Sequence, residues 1–564
     1  MKRIIVLLFT CSLLVLLMVA CGSTETPADP PAPPDPPAAA DTTADSPATA
    51  VTEPGPEEAE PEPPATEPAT PRVLRVAATA NVTTWDPIRS FSTEAMYMAN
   101  IYEQLLRINP PDAAEPFTPL LAESWEVSDD GLVWTFNLRP NVTFHDGEPL
   151  TADAVKMSLE AAAERGGASF IWFPLDEVEV VDDLTVRIHL NYAASVDLIA
   201  SSLYGAWIVS PLALAAAEDD PDYFEAGVAA GTGPYMLESY RPDQEVLLTR
   251  FDDYWGGWQD HQADMVLILI VPEAVQQQQM LEGNQVDLAL SLPRENYASL
   301  GNQPGYELVV EPSYFNYVGF FNTLRPPLDD PLVRQALSYA IPYEDIIAVS
   351  TLGYATQSRS PVPAGVWPYS ENVMQYTYDP DRARDLLVEA GYPDGGFSLR
   401  LTYAAENQTH ERYAPLLKDA FEDLGVSVTI EPILFNQQWE EAKSDPENAQ
   451  DIFLLLYWPT YSDAGTDNLW SMFYGNQAPF FNLSYWTNDQ FDEMIDEAAV
   501  LTVTDPPQAQ QLYEDAMNLL VEEAPGFFLF DTQAVYVIPE HVQGFEYNLH
   551  YPFATFFYDI YTER

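Results

Sequence analysis

"PLLAESWEVSDDGLVWTFNLRPNVTFHDGEPLTADAVKMSLE", residues 119–160, decides how this chain folds. Leu132, Trp134, Phe136 and Leu138 alternate with Val133, Thr135, Asn137 and Arg139, the period-2 pattern of a strand. The preceding "ESWEV" is its hairpin partner, with Asp130-Gly131 as the turn residues. After Pro140 and Asn141 come a short "VTF" strand and a turn at His145-Asp146-Gly147. Thr151 stands where a helix N-cap belongs, Asp153 lies in the first turn, and Leu150 is placed to pack on Val155 as a hydrophobic staple. The predicted helix runs on through "DAVKMSLEAAAERG". His145, Asp146 and Glu148 are residue types that bind metals or move protons. Here each has a local structural job, and no second histidine stands near at ligand spacing, so the stretch reads as a turn.

The same recipe recurs on either side. "EVEVVDDLTVRIHLN" (177–191) predicts a second hairpin turning at Asp182-Asp183, with His189 inside a strand as a packed or surface imidazole. Upstream, "RVLRVAATA" from Arg72 predicts a strand, which "NVTTWDP" (81–87) breaks. "STEAMYMANIYEQLL" (92–106) carries Met96, Ala99, Ile101 and Leu105 at helical spacing and predicts a helix capped by Ser92 or Thr93. Strands and helices mix throughout, the signature of an α/β chain. At 564 residues it exceeds what one core sustains, so two large lobes are expected.

Composition excludes one class of partner. With 23 basic and 87 acidic residues, the formal net charge is −64, the opposite of what a nucleic acid requires. Lys2, Lys156, Lys418 and Lys443 are the only lysines. The excess is spread widely and reads as a solvated acidic surface suited to salty surroundings, without singling out a cationic ligand.

The first twenty residues read as an address. Lys2 and Arg3 precede the apolar run "IIVLLFTCSLLVLLMVA" (4–20), which stops at Cys21. Met18-Val19-Ala20-Cys21 resembles a bacterial lipobox, although Leu is commoner than Met at its first position. The resemblance implies a signal peptide over 1–20, lipidation of Cys21 and attachment to a membrane. The alternative is an uncleaved anchor, since 17 apolar residues reach the bottom of the spanning range. Cys11 and Cys21 are the only cysteines, so the exported body has no disulfide and no thiol nucleophile. Residues 21–71, nearly all Pro, Ala, Thr, Glu and Asp, read as a disordered tether. It spans about 40 Å as a flexible coil and about 150 Å as extended polyproline.

The order of motifs resembles the family 5 solute-binding proteins, the extracytoplasmic peptide, nickel and related receptors of ABC importers. The resemblance begins in residues 119–160 and continues through "GTGPYMLESYRPDQEVLLTRFDDYWGG" (231–257), "LEGNQVDLAL" (281–290) and "PPLDDPLVRQALSYAIPYEDII" (326–347). It goes on through "YDPDRARDLLVEAGYPDG" (378–395), "FDEMIDEAA" (491–499) and "PGFFLFDTQAVYVI" (525–538). It implies a two-lobed Venus-flytrap fold of the periplasmic-binding-protein type. Lobe I would cover 72–312, with an extra subdomain at about 108–230, lobe II 313–527, and 528–564 would return to lobe I. The crossings that form the hinge would fall near 311–322 and 526–533. In the same context "VPEAVQQQQMLEGN" (271–284) is a helix whose glutamines face solvent.

In the peptide-binding branch, a Trp-x-x-Asp-Tyr-like loop of lobe II pairs its Asp with the ligand's α-amino group. The corresponding stretch is "DIFLLLYWPTYSDAGTDNLWSMF" (451–473), a buried strand over 452–457 and then a loop over 458–467. Thr460 stands about where that Asp would be; Asp463 or Asp467 is the replacement, or else either one caps a following helix. Strand ends of open α/β sheets are where ligands bind. Trp85, Tyr314, Phe315, Asn316, Tyr317, Trp458, Tyr461 and Trp470, on loops or near the crossings, are candidate lining residues, the rings by stacking. Arg359 is a candidate carboxylate partner.

The expectation is a lipid-anchored monomeric receptor that captures a small solute, an oligopeptide first, and passes it to ABC permease subunits. No cofactor, metal or catalytic residue is expected. The sequence has no G-x-S-x-G or H-E-x-x-H motif and no phosphate-cradling glycine loop, and its six histidines are scattered. An oligosaccharide or a metal chelate are the alternative ligands, and a secreted hydrolase or a chemosensory or adhesive lipoprotein the alternative roles.

Overall fold

The structure, a computed structural model, describes residues 70–111, 113–228, 230–458, 460–475 and 481–563. The leader, Cys21 and almost all of the tether lie outside the described residues.

The opening stretch folds as read. Ala122–Val127 and Val133–Leu138 pair antiparallel, and Gly131 takes the left-handed conformation (φ 71°) that the turn demands. The Thr151 side chain accepts from the Ala154 N–H at the start of helix Ala152–Arg165, and Leu150 and Val155 are both buried. His145 Nε2 lies 2.9 Å from the Gly233 carbonyl, and its ring meets Phe251 edge-on, so the imidazole ties the turn to the neighbouring sheet. The second hairpin joins Leu175–Asp182 to Thr185–Leu190, with its turn at Asp183-Leu184, one residue later than expected. Together these strands make a four-stranded sheet on which helix Ala152–Arg165 packs.

A five-stranded sheet runs in the order Leu288–Ala289, Val73–Ala78, Met265–Ile270, Glu245–Arg250, Tyr235–Arg241. A six-stranded sheet runs Ala355–Gln357, Gly526–Pro539, Tyr306–Phe321, Ile452–Tyr457, Ser398–Ala404, Ser427–Ile433. The molecule accordingly has two large apolar cores. One gathers Val76, Phe136, Trp207 and Ile268; the other gathers Val318, Leu401, Phe453 and Leu529. This is the two-lobed α/β architecture that chain length requires.

The long strands Tyr306–Phe321 and Gly526–Pro539 pair antiparallel and belong to both halves. Val309, Tyr536 and Ile538 pack with the first core, whereas Val318, Phe320, Phe528 and Phe530 lie in the second. Between Pro312↔Gln533 and Asn316↔Asp531 the register shifts, so Ser313, Tyr314 and Phe315 face Thr532 alone. Such a bulge bends and twists a ribbon where it passes from one core to the next.

Two expectations fail. The helix over 92–106 shrinks to Ala95–Met98. Beyond it the backbone pairs elsewhere: the Ile101 carbonyl accepts from Gly233, that of Asn100 from Tyr235, and Glu103 bridges to Ile208. Tertiary pairing overrides the helical period there. In helix Ala274–Glu282, Gln277 is fully buried rather than solvent-facing. Its amide donates to the Val271 carbonyl and accepts from the Ser291 N–H, clamping both ends of the segment.

Candidate functional site

Strand Ile452–Tyr457 delivers the chain to the interface between the halves, and the loop that follows is shaped by its own carboxylates. Asp467 is buried and accepts from the Thr460 N–H and, at 2.9 Å, from the Tyr457 hydroxyl, which folds the loop back on its strand. Asp463 Oδ1 accepts from the Gly465 and Thr466 N–H groups at 3.0 and 3.3 Å, the first two of the helical turn Gly465–Leu469. The Tyr461 hydroxyl bonds Thr466 Oγ1. The loop is also fastened across the interface. Ser202 Oγ donates to the Thr460 carbonyl at 2.8 Å, and Ser462 Oγ lies 2.6 Å from His550 Nδ1 on the C-terminal segment.

Tyr461, Asp463 and Trp470 line one cavity of about 360 Å³. Its opposite wall is Phe170, Phe173, Tyr192 and Ala194, from the half that carries the four-stranded sheet. Trp470 stands edge-on to Phe173 with ring centroids 6.0 Å apart, and both line the cavity. A second cavity of about 310 Å³ is lined by Phe91, by Trp458 and Thr460 of the loop, and by Trp439, Lys443 and Phe481. Lys443 sits 4.8 Å over the Trp439 ring.

The first cavity is acidic. Burial pushes the Asp463 carboxyl up to about 6 and that of Asp467 up to about 7. Asp197, on the facing half beside wall residues Ser195 and Ile199, is pushed up to about 6, chiefly by burial, with the charge of Asp463 adding to it. Asp496 completes the wall. A cation beside Asp463 or Asp496, the two carboxylates that line the cavity, would offset the cost of burying charge there.

The other sequence candidates lie elsewhere. Trp85 is buried in the first core, edge-on to Tyr240 and tilted on Tyr97. Tyr317 is stacked on Phe530 in the second core, 4.8 Å between centroids. Asn316 is fully buried, and its amide donates to Ser358 and to Asp531, whose carboxyl burial pushes up to about 6. Tyr314 is buried with its hydroxyl 3.0 Å from His550 Nδ1, and Phe315 meets Phe553 edge-on. These three line the crossing between halves. Arg359 gives its guanidinium to the Val373 carbonyl at 3.0 Å, a structural tie within its own half. Asp467 shapes the loop rather than lining the cavity.

Sequence reading missed the facing wall. Phe170 and Phe173 come from "SFIWFP" (169–174), an aromatic-rich run without helical or strand period, and Phe173 is 55% exposed. Unpatterned exposed rings were the available signal. Trp439 and Lys443 sit on helix Phe435–Ser444, where their spacing looks like an ordinary amphipathic face.

Two lobes joined by a double-stranded ribbon, with a lined cavity between them, define a two-lobed solute-binding protein. The match extends to the family itself. The model of the "Bacterial extracellular solute-binding proteins, family 5 Middle" covers residues 116–480, and this chain belongs to that family, the solute-binding proteins of ABC transporters. It is 29% identical to the glutathione-binding protein GsiB of Salmonella typhimurium over 479 residues, 83% of this chain and 91% of that one. It is 29% identical to heme-binding protein A of Haemophilus influenzae over 436 residues, 72% of this chain and 77% of that one. Its fold is that of the periplasmic binding protein DppA from Helicobacter pylori in complex with peptide STSA. That likeness has a TM-score of 0.73 and 23% identity, over 87% of this chain and 98% of that one.

Proposed function

We propose that this chain is a membrane-tethered receptor that captures an amine-bearing solute, an oligopeptide in the first instance, between its lobes. It delivers the solute to an ABC permease without making or breaking a bond. One observation carries the reading: the cavity of about 360 Å³ is walled by both halves and contains the buried carboxylate of Asp463. Asp463 takes the ligand ammonium, the part that Thr460 is unable to play, while Tyr461, Trp470 and Phe173 enclose the apolar remainder. Glutathione, which the Salmonella relative is named for binding, carries two carboxylates and one amine. The acidic wall of this cavity disfavours such an anion.

Lobe I spans 72–312 with its subdomain at about 108–230, lobe II spans 313–527, and the chain returns to lobe I after Phe528, Leu529 and Phe530, which still pack in the second core. The bulge at Ser313, Tyr314 and Phe315 supports a hinge, because the paired strands change cores there. Acylation of Cys21 and the 21–71 tether keep the receptor near its permease and raise its effective concentration there.

The test is native mass spectrometry of the purified full chain, followed by small-angle scattering with and without the solute recovered. An amine-bearing solute and a smaller radius of gyration when it is bound are expected. A purely anionic solute, or a radius that no bound solute changes, would refute the reading. Cys21→Ser should release the protein from membranes; persistent attachment would favour the uncleaved anchor.

A further inference from the structure

A third cavity, of about 280 Å³, shares Phe435, Leu455, Leu456 and Trp458 with the aromatic cavity and extends it into the second half. It lies at the carboxyl ends of three parallel strands, Ser398–Ala404, Ser427–Ile433 and Ile452–Tyr457, where open α/β sheets bind ligands. Two helices start at this crevice and each brings a polar side chain into its wall from the first turn. His410 comes from Gln408–Glu422 and Gln438 from Phe435–Ser444.

Both groups are deeply buried, His410 at 2% exposure and Gln438 at 1%, and neither is satisfied. The Gln438 amide donates to Thr402 Oγ1 at 3.2 Å, but its Oε1 has no partner among the described residues. Neither His410 ring nitrogen has a hydrogen-bond partner among the described residues. Tyr317, Tyr403 and Tyr413 pack against the imidazole at steep ring angles, and none makes a hydrogen bond to it. Burial pushes its pKa down to about 3, so the ring is neutral at working pH. A neutral imidazole carries one N–H and one acceptor nitrogen, so one His410 nitrogen is a bare acceptor, as is Gln438 Oε1.

The pocket therefore asks for hydrogen-bond donors. It does not ask for an anion, because the chain's own side chains already serve both helix starts. Asn407 Oδ1 accepts from the Thr409 and His410 N–H groups, and Glu406 faces the Phe435 N–H. Buried polar atoms without a partner are costly, and both residues that carry them line this cavity. The space far exceeds the volume of one water, about 30 Å³.

We propose that this pocket is a hydrogen-bonding subsite in which His410 and Gln438 receive the N–H groups of an uncharged carboxamide or backbone amide of the captured solute. The assignment rests on the receptor reading above and names the chemistry of one part of its ligand.

The experiment titrates the full chain, labelled with ¹⁵N-histidine, with acetamide and with acetone, which has the same shape and carbonyl but no donor. The ring resonances of His410 are assigned by their loss in His410→Phe. They are expected to shift saturably with acetamide, at an affinity roughly tenfold above that for acetone. Gln438→Leu is expected to remove that preference while leaving the thermal midpoint nearly unchanged. An equal response to both probes, or to neither because ordered water alone serves these atoms, would overturn the proposal. The probe comparison uses the native chain, so it decides even where a variant fails to fold. A peptide that binds a protein blind to acetamide would leave the receptor reading standing; an acetamide response without peptide capture would refute only the peptide reading.

Discussion

The Ser202 hydroxyl donates to the Thr460 carbonyl at 2.8 Å, so the loop that carries Trp458, Tyr461 and Asp463 is bonded to the opposite half of the molecule. A hydrogen bond of this kind contributes about 1 kcal/mol. Ser202→Ala is expected to speed dissociation of the co-purifying solute roughly fivefold with little change in association rate. Stopped-flow chase experiments measure both. An unchanged off-rate would mean that this contact plays no part in holding the closed form.

Trp458 lines two adjoining cavities, and Tyr461 lines the one that contains Asp463. Replacing either by Ala is expected to weaken solute binding by about 1–3 kcal/mol, the range of buried aromatic anchors. Calorimetry measures the loss, and circular dichroism checks that the fold survives. Full affinity in both variants would remove the loop from the site.

Asp197, Asp463, Asp467 and Asp531 all have carboxyls pushed up by burial, to about 6 or 7 in the folded protein. An unfolded Asp titrates near 3.9. The folded state therefore binds more protons in the window between about 4 and 7, and the stability these groups contribute is lost as pH rises through it. The ligand-free protein should melt at a higher temperature at pH 5 than at pH 8. Asp467→Asn should flatten that dependence. A melting temperature that rises with pH over this window would contradict the assignment.

Gly319 sits in the long strand Tyr306–Phe321 beneath the Phe527 ring, and a Cβ there would lie 2.1 Å from Phe527 Cζ. Backbone and ring in the ribbon are both held by sheet pairing. Gly319→Ala is expected to cost about 1–3 kcal/mol through overpacking, measured as a drop in urea midpoint. A neutral effect would show that the ribbon yields easily at this point.

Local chemistry made much of the fold legible. The hairpin at Asp130-Gly131, the Thr151 cap and strand Ile452–Tyr457 follow from alternation, turn residues and capping, each settled within a few residues. The helix over 92–106 failed for the converse reason, because Asn100 and Ile101 find better backbone partners in Tyr235 and Gly233, more than 130 positions away. The site was half legible. Tyr461, Asp463 and Trp470 share a cavity, as a loop at a strand end suggested, whereas Trp85 and Tyr317 are core rings.

Read by itself, the chain determined its class, its two-lobed α/β architecture and many of its local turns, caps and strands. Periodicity, turn chemistry and length act along the backbone and need no knowledge of distant contacts. Which carboxylate faces the cavity, that Phe173 meets Trp470 across it, and that His410 and Gln438 keep unpaired atoms were decided by packing alone. Burial and the supply of hydrogen-bond partners are set by residues far apart along the chain, so these properties exist only once it has folded.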